Sequence, residues 1–254
     1  MQPTLNIALR AARVAAEKLK FDLEQKPTIL ENGSSLKEFV ETAIQGAGTR
    51  LIKSIRKSHP DHNIEIIGSD VDTARNPDEE VLWRAKIIDG VTNYLTGYPM
   101  VMIAVSFSVK DKIQHIALVN PFTGDEYICS RGRGMHFDEK RIRVTNAKKL
   151  PQTLISSFQF DPADERFKKF HENQIQIRAT GSFLTDVAHC CAGKCDATIA
   201  DKVDGFDLEL ASLMAQESGA LTGSCNGKPL NANSKDFMMA NSKLFKQLVQ
   251  TINN

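Results

Sequence analysis

The sequence predicts a layered α/β protein, and three observations lead there. Some stretches carry apolar residues at helical spacing, while others are short β-type apolar runs. The two kinds alternate along the chain. Several β-runs are also neighbours, joined by turn-forming residues. That pattern excludes a helix bundle and a pure β-sandwich. At 254 residues the chain can bury a substantial core. We expect one domain over residues 1–254, in two lobes of approximately 1–145 and 146–254. Internal repeats, low-complexity tracts and long linkers are absent from the sequence.

The elements follow in order. Residues 4–24 carry Leu5, Ile7, Ala8, Ala11, Ala12, Ala15, Leu19 and Leu23 at helical spacing, so the chain opens on an amphipathic helix. Pro, Asn, Gly and two Ser make 27–36 a loop or a short β-excursion. A second helix over about 37–58 gathers Phe39, Val40, Ala43, Ala47, Leu51, Ile52 and Ile55 on one face, and His59-Pro60-Asp61 ends it. Residues 63–68 read as a strand and 70–79 as a polar loop. Strands are expected at Trp83–Ile88, Val101–Val109, His115–Asn120 and Glu126–Arg131, with a hairpin turn at 121–125 and a tight loop at 132–134. Further strands are expected at 153–159, 175–179 and 237–241. Helices are expected at 182–193, 206–219 and 242–252, with Gly193 and Gly219 as stops for the first two.

Composition narrows the function classes. Hydrophobic residues make up 41% and charged residues 25%, which suits an ordered soluble chain. The net charge is +1, from 32 basic and 31 acidic side chains, so no global field favours nucleic acid or membrane. The N-terminal stretch lacks an apolar segment with a cleavage site. No run approaches the roughly 18–20 apolar residues of a membrane span. Five cysteines without regular spacing suit a reducing compartment, and a cytoplasmic location is expected.

The most informative segment is WRAKIIDGVTNY at 83–94, followed by Gly97, Tyr98 and Pro99. It resembles the signature of the inositol monophosphatase family: Trp, two apolar residues, Asp-Pro-Ile/Leu-Asp-Gly-Thr-Thr-Asn-Phe, then Pro before a strand. Later segments continue the resemblance in order: Val105-Ser106, Asn120-Pro121, RGRG at 131–134 and Thr180-Gly181-Ser182. AGKCDA at 192–197, Phe206-Asp207, Ala211 and ESGA at 217–220 complete it. The opening MQPTLNIALRAAR is similar to the bacterial SuhB-type subgroup. The resemblance implies the layered α/β/α/β/α sandwich of the sugar phosphatase superfamily and a homodimer.

Family members are similar in hydrolysing phosphate monoesters with Mg²⁺. That ion is hard and needs several oxygen ligands. It activates water and stabilises the leaving oxygen, while the protein supplies positioning and charge neutralisation. Carried over position by position, the resemblance implies a depleted site. The first carboxylate falls on Ser69, with Asp70 beside it. The next ligand is Lys86. Asp89 and Asp207 keep two carboxylates, and Ile88 would supply a backbone carbonyl. The Thr and Asp that place the attacking water are Val91 and Ile44, and the inositol-contacting Glu falls on Ala200. Gly90, Arg178 and Ser182 remain for a phosphate or sugar. Lys86 reads as a built-in counter-ion beside Asp89 and Asp207.

Plainer readings stand beside these. Asp89 and Asp207 serve equally as salt-bridge or capping residues. His189, Cys190, Cys191 and Cys195 invite a zinc reading, but buried free cysteines are the commoner explanation. Arg131, Arg133, Lys140, Arg141, Arg143, Lys148 and Lys149 face RNA or an acidic protein, or simply water. Arg50, Lys53, Arg56 and Lys57 read as the wet side of the second helix. Three functions follow. One is a pseudo-phosphatase of SuhB type, acting through RNA polymerase and Nus-type factors. Another is a weak Mg²⁺-dependent phosphatase using Asp89, Asp207 and Asp70. The third is a sugar-phosphate sensor using Gly90, Arg178 and Ser182.

Overall fold

The computed structural model describes residues 2–69, 71, 76, 78–159, 161–231, 234 and 236–254. The fold is mixed α/β, and the chain divides into two compact units, 1–131 and 132–254.

The first unit opens on helices α1 (Pro3–Glu31) and α2 (Leu36–Arg56). Strands β1 (Asn63–Ile66) and β2 (Val81–Asp89) follow, then a short helix α3 (Val91–Thr96). Strands β3 (Met102–Val109), β4 (Lys112–Val119) and β5 (Glu126–Ser130) complete the unit. The strands pair in sequence order. β1 and β2 are parallel and the remaining pairs antiparallel. The apolar faces of α1 and α2 bury Ala8, Ala12, Leu19, Ala47, Leu51 and Ile55 with Trp83, Ile87, Val105 and Ala117 of the sheet in one core. α2 comes very close to β1: a Cβ on Gly48 would lie 3.3 Å from Ile66 Cγ1.

The second unit begins with a hairpin, β6 (Gly134–Phe137) and β7 (Lys140–Ile142). It continues through β8 (Leu154–Ser157), α4 (Glu165–Glu172), β9 (Gln176–Ala179), α5 (Phe183–Cys191), β10 (Ala197–Asp201) and α6 (Gly205–Ser218). β11 (Leu221–Gly223), β12 (Asp236–Ala240) and α7 (Ser242–Asn253) end the chain. A sheet of five strands has the order β11-β12-β10-β8-β9. One core joins Ile155, Phe170, Ile199, Met238, Leu244 and Leu248.

Several expectations need correction. Residues 27–31 are helical, not loop: α1 runs on through Pro27 to Glu31. A proline inside a helix removes a donor, but Ile29 packs on the unit's core and the Lys26 ammonium donates to the Leu95 carbonyl at 2.5 Å. Tertiary contacts therefore hold the last turn. The second helix starts one residue earlier than expected. The Ser35 hydroxyl accepts from Glu38 N–H, and the Glu38 carboxylate accepts from Ser35 N–H, a reciprocal cap that fixes the start. The elements α3, β6, β7, α4, β10 and β11 were not expected. All are short, from three to eight residues.

No helix is long and apolar enough to cross a membrane, among the described residues. All five cysteines are free and buried.

Candidate functional site

In the first unit the site is built at the C-terminal end of β2. Along a regular strand, residues three apart face opposite sides. Here Lys86 pairs with Ala104 and Asp89 with Met102, so β2 carries one more residue than β3 between those pairs. The bulge turns Asp89 onto the Lys86 side of the sheet. The Lys86 ammonium then lies 3.0 Å from the Asp89 carboxylate, with the side chains only 19% and 7% exposed. Ile87 and Ile88, inside the bulge, are buried.

Gly90 follows at φ 93°, the left-handed region that favours glycine. Its carbonyl accepts from Tyr94 N–H at 2.9 Å and starts α3. Val91, at the first helical position, is 41% exposed. Two hydrogen bonds fix what comes next. The Tyr94 hydroxyl donates to the Leu19 carbonyl at 3.0 Å, and Asn93 Nδ2 donates to the Met100 carbonyl at 2.8 Å. Burial, then the charge of Asp22, raises the Tyr94 hydroxyl pKa above the ordinary phenolic range.

Because β1 and β2 run parallel with Ile66 beside Ala85, the chain leaves β1 at the end where Lys86 and Asp89 lie. Ser69 sits there, half-buried, its N–H bonded to the Ile66 carbonyl at 3.2 Å. Asp70 lies outside the described residues. Ile44 is one turn before Gly48 on α2 and packs against the core. Hence the described groups of this unit offer one carboxylate, one hydroxyl and an ammonium. That set does not fit a magnesium centre, which needs several anionic oxygens.

The second unit places the other expected residues. Asp207 lies in the first turn of α6 and is buried. A carboxylate there meets the positive end of the helix dipole. Ser182 caps α5: its hydroxyl accepts from Thr185 N–H at 3.3 Å and donates to Thr185 Oγ1 at 2.7 Å. Arg178 is exposed on β9, bonded to the Ile177 carbonyl at 2.9 Å. Ala200 is buried within β10.

The cysteine-rich segment has a different character from a metal centre. Among the described residues, neither unit gathers three His, Cys, Asp or Glu side chains into a metal-binding group. Cys195 and Cys190 are hydrogen-bonded. That bond holds Cys195 below the ordinary thiol range, while Cys190 is raised by it and by burial. Ser156 Oγ lies 3.4 Å from Cys195 Sγ.

Two groups escaped the sequence reading. Glu217 was placed in a motif without a role. Its buried carboxylate accepts from Gly132 N–H at 2.7 Å and Gly134 N–H at 2.8 Å, clamping the turn before β6. The second is an imidazole–indole stack. His59 and His62 rings are 4.1 Å apart and nearly parallel, and Trp83 Nε1–H donates to His62 Nδ1 at 3.1 Å. A H-P-D-H run before a strand with a Trp was its only visible signal. A cleft of about 590 Å³ lies near the opposite end of β2, lined by Asn63, Glu79, Glu80, Leu82 and Lys110 among others, and contains none of the expected residues.

The model of the Inositol monophosphatase family matches residues 1–254. A protein named Nus factor SuhB from Pseudomonas aeruginosa is 30% identical over 263 residues, covering 99% of this chain and 96% of that protein. Nus factor SuhB of Escherichia coli K12 is 26% identical and covers 89% and 87%. Among solved structures, the extragenic suppressor protein suhB from Bartonella henselae superposes with a TM-score of 0.85 at 20% identity, covering 100% of both chains. An inositol monophosphatase from Anabaena (Nostoc) sp. PCC 7120 gives 0.78 at 21% identity, covering 98% and 94%. At those identities the structures speak for the fold.

Proposed function

The chain belongs to the inositol monophosphatase family, and from that premise we propose that it is a SuhB-like pseudo-phosphatase, acting through protein and RNA contacts in transcription antitermination of ribosomal RNA. One observation carries the loss of catalysis. The Lys86 ammonium stands where the family resemblance expects a carboxylate ligand, ion-paired at 3.0 Å to the carboxylate that remains. A fixed cation there neutralises Asp89 and opposes a dication through like-charge repulsion. Val91 and Ile44 at the water-positioning places reinforce the reading. Neither carries a group that orients water, and Ile44 is committed to packing. The name of the relatives, Nus factor SuhB, supports the transcription part. On this reading the protein works in the cytoplasm as a homodimer, with RNA polymerase and Nus-type factors as partners.

A second reading is a weak Mg²⁺-dependent phosphatase acting on inositol 1-phosphate. It draws on the retained carboxylates of Asp89 and Asp207, with Asp70 as a third. Ser182 and Arg178 support a substrate role less, since the Ser182 hydroxyl already caps α5.

Phosphate release from inositol 1-phosphate across a Mg²⁺ titration separates the readings, with an intact family member as control. Release at background from folded protein is the expected result. Activity within about tenfold of the control, a barrier difference under roughly 1.4 kcal/mol, would return the chain to the enzymes. A pull-down against RNA polymerase and NusA-type proteins tests the partner side. Failure to retain either counts against the antitermination role.

A further inference from the structure

Residues 190–195 bring two thiols together inside the second unit. Cys190 lies in the last turn of α5, and Gly193, at φ 68°, follows the helix end. Gly193 N–H bonds the Cys190 carbonyl at 3.0 Å and Lys194 N–H bonds the His189 carbonyl at 2.9 Å, which turns the chain back. Asp196 anchors the return. Its N–H bonds the Leu154 carbonyl at 2.8 Å, and its carboxylate accepts from Leu154 N–H at 2.9 Å and from Thr145 Oγ1 at 2.6 Å. Cys195, held between these two fixed points, hydrogen-bonds Cys190.

The contact has a direction. It raises the Cys190 pKa and lowers that of Cys195, so Cys190 S–H is the donor and the Cys195 sulfur the acceptor. The other acceptor beside Cys190, the Met239 carbonyl, is 4.0 Å away. On its other side Cys195 Sγ meets the Ser156 hydroxyl at 3.4 Å. That hydroxyl is 2.8 Å from Thr198 Oγ1, which donates to the Asp186 carbonyl at 3.1 Å. A hydroxyl rotates to suit its neighbours, so Ser156 donates to the sulfur once it is a thiolate.

The neighbouring cysteines are placed differently. Cys191 follows Cys190 on the helix, and adjacent helical residues do not face each other. Burial pushes the Cys191 and Cys225 thiols up to about 12, the latter although Arg166 Nη1 lies 3.4 Å from its sulfur. The thiolate is the nucleophile, so both are held in the unreactive form. Cys195 keeps 5% exposure and Cys190 none. A small oxidant therefore meets Cys195 first, with Cys190 directly behind it.

We propose that Cys195 and Cys190 form a reversible oxidation site for a small hydroperoxide, with Cys195 as the attacking thiol and Cys190 as the resolving one. The Cys195 sulfur attacks one oxygen of hydrogen peroxide. An S–O bond forms, the O–O bond breaks, and the departing oxygen leaves as water with the thiol proton. The Cys190 sulfur then attacks the sulfenic sulfur. The S–S bond forms, the S–O bond breaks, and a second water carries off the Cys190 proton. The two sulfurs together lose two electrons, and one peroxide becomes two waters. The disulfide closes only the 190–195 segment, so chain entropy stabilises it little, and an external dithiol reverses it. A reversible dithiol of this kind suits a reducing compartment, where a permanent disulfide does not. The site stands apart from both the phosphatase and the transcription readings.

The experiment treats the full-length native protein with hydrogen peroxide, quenches it at intervals, alkylates it in denaturant and digests it with trypsin without reduction. Cleavage after Arg178, Lys194 and Lys202 puts Cys190 in peptide 179–194 and Cys195 in peptide 195–202. A disulfide-linked pair of these two peptides is expected. Free thiols should fall by two from the five of the untreated chain and return with dithiothreitol. Cys191→Ala should give the same linked pair. Cys190→Ala should lose it and leave a sulfenic acid on peptide 195–202, trapped by dimedone. Where Cys190→Ala does not fold, fragmentation of the wild-type linked pair locates the bridge at Cys190 or at Cys191. Three results would overturn the proposal. One is all five thiols oxidised at a common rate, the mark of reaction through unfolding. Another is a bridge at Cys191, or a linked pair that persists in Cys190→Ala. The third is no loss of thiols at a peroxide concentration that oxidises free glutathione in the same tube.

Discussion

Lys86 reaches Asp89 only because β2 carries one residue more than β3 between them. Without the bulge the two side chains would lie on opposite faces. Removing the ammonium takes away a cation 3.0 Å from a carboxylate that is only 7% exposed. Lys86→Met should therefore destabilise the protein by about 3 kcal/mol, read from urea unfolding midpoints. Millimolar Mg²⁺ should leave the wild-type melting temperature unchanged and raise that of Lys86→Asp. Equal stabilisation of both proteins would show that the ammonium is not standing in for a metal.

Glu217 makes a second prediction. Both of its oxygens receive backbone N–H groups, from Gly132 and Gly134. Gln at this position keeps one acceptor and sets an NH₂ against the other N–H. The cost should be about 1–3 kcal/mol, the penalty of a buried donor left unmade. Amide exchange at residues 132 and 134 should accelerate in Glu217→Gln, while the β8 amides keep their protection until global unfolding. Unchanged exchange at both glycines would remove the clamp from the account.

What was legible in the sequence, and what was not, follows from length and register. The long periodic runs that became α2, β3, β4 and α6 lie within a few residues of expectation, because each buries a continuous apolar face. The hairpin β6–β7 has strands of four and three residues dominated by His, Phe, Lys and Arg, so no alternation could be seen. α4 offers just two buried apolar residues, Phe167 and Phe170, and its signal was the Asp164 cap. In the site, the residue identities at Lys86 and Asp89 were readable. Their contact was not, because nothing in the run KIID announces a bulge. The role of Glu217 was hidden for a similar reason: its partners are backbone amides far back in the chain.

The His62–Trp83 hydrogen bond requires an unprotonated Nδ1. Burial first, then the charge of His59, hold the His62 pKa below the ordinary imidazole value near 6.5, while Glu79 and Asp61 pull the other way. A histidine lowered in the folded state gives stability that is fully present above the unfolded pKa. That stability is lost as pH falls from about 6.5 through the folded pKa. Trp83 is the sole tryptophan, so its emission reports the event. Wild-type fluorescence should change as pH falls below about 6.5, and His62→Gln should flatten the profile. A profile identical in both would mean that His62 does not titrate against the indole.

Val91 and Ile44 differ in what restoring them would require. Val91 is 41% exposed at the start of α3, so Val91→Thr should change stability by less than about 0.5 kcal/mol. It should leave phosphate release at background, because the Lys86 cation still faces Asp89. Ile44→Asp is harder, since that side chain packs on the first unit's core and a carboxylate there loses water without gaining a partner. A loss of about 1–3 kcal/mol is expected. Only the variant that joins Lys86→Asp to both changes combines carboxylate, hydroxyl and a vacated cation position. Mg²⁺-dependent release should rise above background in that variant alone, measured at a temperature where all four proteins are folded. A rise in Val91→Thr by itself would mean that Lys86 does not block the chemistry, and that the lost hydroxyl was the sole defect.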